Sequence, residues 1–113
     1  EYACNVVGSK LIMVLGHSRC GAVTGACNHT TLGKLDTILE RIHPVVDKVR
    51  QKHSNEDLSA SELVELVTME NVRTIVAQLQ EVSPSLTKLI AEEKIGVVGA
   101  YYDVVSGKVE LIC

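Results

Sequence analysis

The chain has 113 residues, of which 46% are apolar and 22% charged, and its formal net charge is −3 at pH 7. This length suits one domain. The basic residues do not cluster, which argues against nucleic-acid binding, and no apolar run is long enough to span a membrane. Trp and Phe are absent and Tyr occurs three times. The core must therefore be built from Val, Leu, Ile and Ala, as in parallel sheets packed by helices.

The first half of the chain is predicted to begin with a helix end that Gly8 stops, followed by a strand. That strand, "KLIMVLGH" at residues 10–17, is a short continuous apolar run that closes on a glycine. Residues 21–30 contain two glycines and two alanines, so we expect a helix or loop that packs closely on the strand. Apolar residues then recur every three or four positions from 35 to 49, which predicts a helix that Pro44 kinks or splits.

The second half is predicted to be helical and then to end in two strands. A polar loop leads into a helix with a capping-box start at Ser59 and an end near Val82. A shorter helix follows over residues 84–93, because Pro84 suits a first helical turn. "IGVVGAYYD" and "KVELIC" are the last two strands, joined by a tight turn at "SG", residues 106–107.

The order of these elements predicts how the strands pair. A long helical segment separates the first strand from the second, so we expect these two strands to run parallel. The second and third strands are close in sequence and form a hairpin. The sequence therefore predicts an α/β fold whose antiparallel edge strand lies at the C-terminal end.

His17 and Cys20 are the candidate site residues, within "GHSRCGAV" at residues 16–23. Both are residue types that zinc favours, and the carboxyl ends of strands are where ligands bind in open α/β sheets. An H-x-x-C pair alone allows three interpretations. It is a capped turn with a buried cysteine, half of a metal centre, or a nucleophilic thiol activated by Arg19 and a helix N-terminus. Arg19 itself is either a surface residue or part of an active-site mouth.

Several segments, in the same order along the chain, resemble β-class carbonic anhydrases. "LIMVLGHSRCGAV" resembles the class signature, a strand followed by GH-[ST]-x-CGA. "EYA" at 1–3 looks like the family's helix before that strand, and "ENVRTIVAQLQEVSPSLTKLI" at 70–90 resembles its long helix. "GAYYDVVSGKVEL" at 99–111 resembles its final hairpin. The resemblance extends over essentially the whole chain.

The resemblance implies a zinc lyase, a carbonate dehydratase that reversibly hydrates CO2 to bicarbonate through zinc-bound hydroxide. His17 and Cys20 match two of the family's zinc ligands. The third ligand and an Asp–Arg dyad belong to an upstream C-x-D-S-R motif, which this sequence does not contain. We therefore expect residues 1–113 to be a single partial β-carbonic anhydrase-like domain with a partial sheet flanked by helices. This partial domain would hold no catalytic residue of its own and would be inactive or nearly so. In the complete protein, each site would bind one Zn²⁺.

The resemblance and the sequence also predict the partners, the oligomeric state and the location of the protein. It implies a homodimer or higher homo-oligomer that acts on the small molecules CO2 and bicarbonate. A sheet without its central strands would expose "LIMVL" and "IGVVGA", so we expect self-association, strand exchange or a partner surface. The four scattered cysteines form no CxxC and no signal peptide is recognisable, which predicts free thiols and a cytoplasmic location. The chain opens inside a helix without Met, so we expect it to be cut from something longer.

Two other functions are compatible with the sequence. One is a non-catalytic carbonic-anhydrase-like interaction or regulatory domain, and the other is a redox protein that uses the Cys20 thiol. The predicted places of the other cysteines disfavour a borrowed third zinc ligand from Cys4, Cys27 or Cys113. Surface or helix-end positions are expected for three further histidines, His29, His43 and His53.

Overall fold

The computed structural model describes all 113 residues, from Glu1 to Cys113. Three strands form one mixed sheet in the order β1-β2-β3. The strands are β1 Leu11–His17, β2 Gly96–Tyr102 and β3 Val109–Leu111. The α-helices are α1 Gly21–Cys27, α2 Asp36–Lys52, α3 Ala60–Leu79 and α4 Pro84–Ala91, with a π-helical turn at Ala3–Val7 and a 3-10 turn at Gly33–Leu35.

The strand pairing confirms the predicted α/β fold with its C-terminal edge hairpin. β1 and β2 run parallel, with Leu11 opposite Gly96 and His17 opposite Tyr102. β2 and β3 run antiparallel, with Ala100 opposite Leu111. The four helices between β1 and β2 form the long connection that a parallel pair requires. His17 therefore lies at the carboxyl end of β1, beside the carboxyl end of β2.

Helix α3 packs directly on β1 and β2, and two glycines make the close approach possible. A Cβ on Gly16 would lie 2.7 Å from Val72 Cγ2, and a Cβ on Gly99 would lie 2.7 Å from Val72 Cγ1. Both distances are too short for real contacts between carbon atoms. A side chain at either glycine would thus push α3 away from the sheet.

The hydrophobic core lies among the helices rather than on both sides of the sheet. Its larger cluster combines α1, α2 and α3, and Leu39, Val46 and Val67 are its largest fully buried side chains. A smaller cluster of Cys4, Leu86 and Ile95 packs with Ile12 beneath the π-helical turn and α4. None of the helices is long and apolar enough to cross a membrane.

One face of the sheet is apolar and uncovered, and we call it the open face. Successive residues of a strand point to opposite sides, and the even-numbered residues of β1 are half-buried while alternate ones are exposed. Neighbouring residues in the register share a face, which places Leu15, Ala100 and Leu111 on the same side. Five apolar side chains make up the open face. Their exposed fractions are 54% for Leu11, 45% for Met13, 48% for Leu15, 52% for Val109 and 71% for Leu111.

The exposure expected of the two apolar strands is found for one of them. "LIMVL" in β1 presents its alternate side chains on the open face, as predicted. "IGVVGA" does not, because Ile95, Gly99 and Ala100 are buried and the two valines are half-buried. β2 is the central strand, so β1, β3 and α3 together shield it.

Helix α2 shows that Pro44 does not split the helical segment. The helix runs unbroken from Asp36 to Lys52 with Pro44 inside it. Proline removes one backbone hydrogen bond, but Ile42 and Val45 on either side are buried in the core. The packing of these two side chains keeps the helix continuous at the point where the backbone hydrogen bond is missing.

The hairpin turn is longer than the predicted two-residue turn at 106–107. Asp103 N donates to the Lys108 carbonyl at 2.9 Å and Gly107 N donates to the Asp103 carbonyl at 2.8 Å. The Asp103 carboxylate also accepts from Val105 N at 2.9 Å and from the Ser106 hydroxyl at 2.9 Å. The short-turn prediction is wrong because these side-chain bonds favour a wider loop, in which Gly107 adopts a φ of 75°.

Candidate metal centre

His17 is the last residue of β1, and a hydrogen bond fixes its imidazole. Its Nδ1 lies 2.8 Å from the carbonyl oxygen of Ser18. A carbonyl can only accept, so Nδ1 is the donor in this bond, and in the neutral imidazole Nε2 then carries the lone pair. Metal-binding histidines commonly donate their other ring N–H in this way. His17 is therefore prepared to bind a metal through Nε2.

Cys20 occupies the N-cap position of α1 with a free thiol. Its backbone is extended, with φ −67° and ψ 118°, and its side chain makes no capping hydrogen bond. Its carbonyl oxygen accepts instead from Thr24 N at 3.0 Å and from Thr24 Oγ1 at 2.8 Å. The thiol of the half-buried Cys20 is thus free, and a thiolate together with an imidazole nitrogen is a donor combination that zinc favours.

The turn between the two candidate ligands is tied to the strand and hairpin beside it. Ser18 N donates to the Tyr102 carbonyl at 2.9 Å, and Ser18 Oγ accepts from Val104 N at 3.0 Å. Arg19 has a φ of 56°, which is uncommon for a residue with a side chain. These bonds hold His17 and Cys20 on one short turn at the carboxyl end of the parallel strands.

No third ligand joins these two side chains. The chain contains no group of three or more His, Cys, Asp or Glu side chains that is able to hold a metal ion. Cys4 is buried in the core with Leu86. Burial raises the pKa of the Cys27 thiol, although the charge of Arg50 opposes this, and a raised pKa disfavours the thiolate that binds metal. Cys113 lies over Gly99. A catalytic zinc takes three protein ligands. His17 and Cys20 are residue types that zinc favours, and no third side chain of these types joins them.

A cavity of about 610 Å³ lies next to this turn and is distinct from the candidate ligands. Ser18, Arg19, Glu65, Tyr101 and Asp103 are among its lining residues, whereas His17 and Cys20 are not. Burial and the nearby charge of Glu65 raise the pKa of Tyr101. The chemistry of the donor atoms, and not the size of the cavity, therefore locates the candidate metal centre.

Asp103 has a structural role in the hairpin, because its carboxylate accepts hydrogen bonds within the loop. The Val105 N–H and the Ser106 hydroxyl lower the pKa of its carboxyl group, with a further contribution from the charge of Arg19. Sequence reasoning did not find the link between Ser18 and the hairpin, because Ser18 and Val104 are separated by 86 residues. No local spacing pattern signals such a contact.

Comparisons with known proteins agree with the architecture of the chain. The family model for carbonic anhydrase matches residues 1–109. The chain is 31% identical to a carbonic anhydrase of Mycolicibacterium smegmatis, over 98% of this chain and 53% of that protein. It is 34% identical to carbonic anhydrase 2 of Mycobacterium tuberculosis, over 98% of this chain and 53% of that protein. The chain thus spans about half the length of the curated relatives it matches.

A solved structure gives the same result for the fold. A tetrameric β-carbonic anhydrase of the fungus Sordaria macrospora superposes with a TM-score of 0.86 at 28% identity. The match covers 98% of this chain and 56% of that one. Because the family model spans nearly all residues and the structural match is to the β class, the chain belongs to the β-class carbonic anhydrase family.

Proposed function

We propose that this chain carries two zinc ligands, His17 and Cys20, of a β-class carbonic anhydrase that interconverts CO2 and bicarbonate. The observation that supports the proposal is the hydrogen bond from His17 Nδ1 to the Ser18 carbonyl, which leaves Nε2 free. The unengaged Cys20 thiol follows on the same turn. A zinc ion held there would supply Lewis acidity.

The contribution of this chain to the reaction is to hold and orient the two ligands. The Ser18 carbonyl fixes the His17 tautomer, and the bonds from Ser18 to Tyr102 and Val104 anchor the turn. Orienting bonds of this kind typically change metal affinity by about 10–100-fold when they are removed. We assign no proton transfer to His17 or Cys20, because both would be engaged as ligands.

The proposal includes the prediction that the 113-residue chain alone is inactive or nearly so. Two donors leave a tetrahedral zinc site open at two positions, and no other metal-binding side chain of this chain lies at the turn. Hydration would then require a third protein donor from elsewhere. The relatives, which are about twice as long as the matched segment, support this proposal.

The test separates metal binding from catalysis. Cobalt(II) is added as a spectroscopic substitute for zinc, because a sulfur-to-cobalt charge-transfer band reports thiolate coordination specifically. We expect the band in the wild-type chain, its loss in Cys20→Ser, and its retention in the control Cys113→Ser, whose thiol is exposed at the chain end. CO2 hydration by the zinc-loaded chain should match the uncatalysed rate.

Two results would contradict the proposal. An unchanged cobalt band in Cys20→Ser would remove Cys20 from the ligand set. Rapid zinc-dependent hydration by the 113-residue chain would show that two protein donors suffice, or that a third is present.

We also propose that the chain forms a homo-oligomer, with the open face buried in the contact. The relative from Sordaria macrospora is described as tetrameric. On the chain itself, Leu11, Met13, Leu15, Val109 and Leu111 form a contiguous apolar surface, and surfaces of this kind mark association sites.

A non-catalytic interaction domain is the second candidate function, and the same open face favours it. This alternative predicts an ordered fold that binds a partner and gives no cobalt–thiolate band. The cobalt experiment therefore discriminates between the two proposals, since both predict a folded chain and only the first predicts the band.

A further inference from the structure

Two histidines that the proposed function does not use lie side by side. The ring centroids of His29 and His43 are 5.5 Å apart, and the ring planes are inclined by 37°. His29 follows the C-terminal end of α1 and His43 lies within α2. The length of α1, about 10 Å at a rise of about 1.5 Å per residue, separates this pair from Cys20. We call these residues the histidine pair.

The buried nitrogen of His43 has no partner. Its Nε2 is shielded from solvent and forms no hydrogen bond in the chain, and it is the only buried side-chain nitrogen or oxygen of which this is true. Buried polar atoms almost always have a partner, so an exception requires an explanation. A ligand bound at the histidine pair would provide one.

His29 approaches His43 from a constrained backbone. Its φ is 52°, a left-handed value that few residues with side chains adopt. Two hydrogen bonds hold this conformation, from His29 N to the Ala26 carbonyl at 3.2 Å and from Thr30 N to the Gly25 carbonyl at 2.9 Å. The exposed His29 ring is thus placed against the half-buried His43 ring.

The spacing of the two rings matches that of imidazoles on one metal ion. A metal–nitrogen bond of about 2.0–2.1 Å puts each ring centroid roughly 3.2 Å from the metal, so a tetrahedral angle separates two centroids by about 5.2 Å. The observed separation is 5.5 Å. The separation of the two rings is therefore compatible with coordination of one ion by both.

We propose that His29 and His43 bind a divalent first-row transition cation, with His43 Nε2 as one ligand atom. Imidazole nitrogen suits Zn²⁺, Cu²⁺ and Ni²⁺. No third His, Cys, Asp or Glu joins the pair, so water completes the coordination and the ion exchanges readily. This site does not depend on the proposed function of His17 and Cys20.

Histidine-selective NMR tests the site directly. The chain has four histidines, so the ring nitrogens of a ¹⁵N-histidine-labelled sample are individually assignable while Zn²⁺ is added. We expect His29 and His43 to shift together and to saturate with one dissociation constant, while His53 does not follow them. A titration of Cys20→Ser removes the competing response of His17, so that the two sites are measured separately.

Variants then establish that the two rings act as a pair. In His29→Gln the zinc-dependent shift of His43 should disappear, or its dissociation constant should rise by about tenfold or more, since orienting groups alone are worth about 10–100-fold. The matched control His53→Gln should leave the response of His29 and His43 unchanged. Circular dichroism checks that each variant is folded.

The proposal is overturned if His43 does not shift with Zn²⁺, or if it shifts equally in wild type and His29→Gln. The first result would assign the unpartnered Nε2 to bound water or to packing. The second would indicate a site that involves His43 without His29. His29 is exposed, so its replacement decides the question even if His43→Gln fails to fold.

Discussion

At the scale of single residues, Asp103 shows how one carboxylate shapes the loop beside the candidate metal centre. It binds the Val105 N–H and the Ser106 hydroxyl, and these bonds lower its pKa. Its folded pKa is thus below the value of about 3.9 for an unperturbed aspartate. The stabilisation is present above that unfolded value and is lost as the pH falls through the folded pKa.

We therefore predict that Asp103→Asn lowers the melting temperature at pH 7 by a few degrees, because the charged acceptor is lost. The difference from wild type should shrink as the pH falls below about 4 and the wild-type carboxylate becomes protonated. Thermal unfolding followed by circular dichroism at pH 7 and at acidic pH measures both quantities. Asp57→Asn is the control, since the Asp57 side chain is exposed and makes no hydrogen bond. A constant difference at all pH values would rule out the charge as the cause.

At the scale of elements, the contact between α3 and the sheet depends on glycines, which have no side chain to keep the helix at a distance. Gly99 faces Val72 and Val76 of α3 and also the Cys113 sulfur, which would lie 2.8 Å from an added Cβ. Gly96 in the same strand is different, because its nearest neighbour would be Leu11 Cδ1 at 3.5 Å, an ordinary contact. The two glycines thus allow a matched comparison within β2.

We predict that Gly99→Ala destabilises the chain by about 1–3 kcal/mol, the usual cost of overpacking, whereas Gly96→Ala changes the free energy of unfolding much less. Urea unfolding of both variants provides the comparison. Similar losses in the two variants would show that the cost arises from the strand backbone and not from the approach of α3.

The helices and strands were largely predictable, whereas two local details were not. Periodicity located the helical segments, and Ser59 accepts from Glu62 N at 3.2 Å as the capping pattern predicted. Pro44 and the hairpin loop departed from local rules because buried neighbours and the Asp103 carboxylate outweighed them. Tertiary packing and side-chain hydrogen bonds determine the structure at these two places, and local propensity does not account for either effect.

At the scale of the whole molecule, the open face leaves large apolar side chains of β1 and β3 exposed. Burial of apolar surface is worth about 25 cal/mol per Å², so a contact between two open faces would gain free energy from the apolar area that it removes from water. Because β1 is an edge strand, its outer backbone groups also lack strand partners and can pair with another chain.

We predict that the wild-type chain self-associates and that Leu15→Glu shifts it toward monomer. The new charge would have to be buried in the contact, which is costly, so the dissociation constant should rise by about tenfold or more. Sedimentation velocity over a concentration series measures the change. Val82→Glu replaces an exposed valine that lies between α3 and α4, away from the open face, and should leave association unchanged. Equal effects of both substitutions would argue against the open face as the contact.

The sequence by itself determined the α/β class, the order of the elements and the candidate ligands His17 and Cys20, because each depends on patterns within a few residues. Tertiary structure alone decided that Ser18 anchors the turn between His17 and Cys20 to the hairpin and that His29 lies against His43. It also decided that Gly16 and Gly99 share Val72 as a neighbour. Local patterns report backbone preference and burial, whereas these contacts arise when helices pack on a sheet and bring distant residues together.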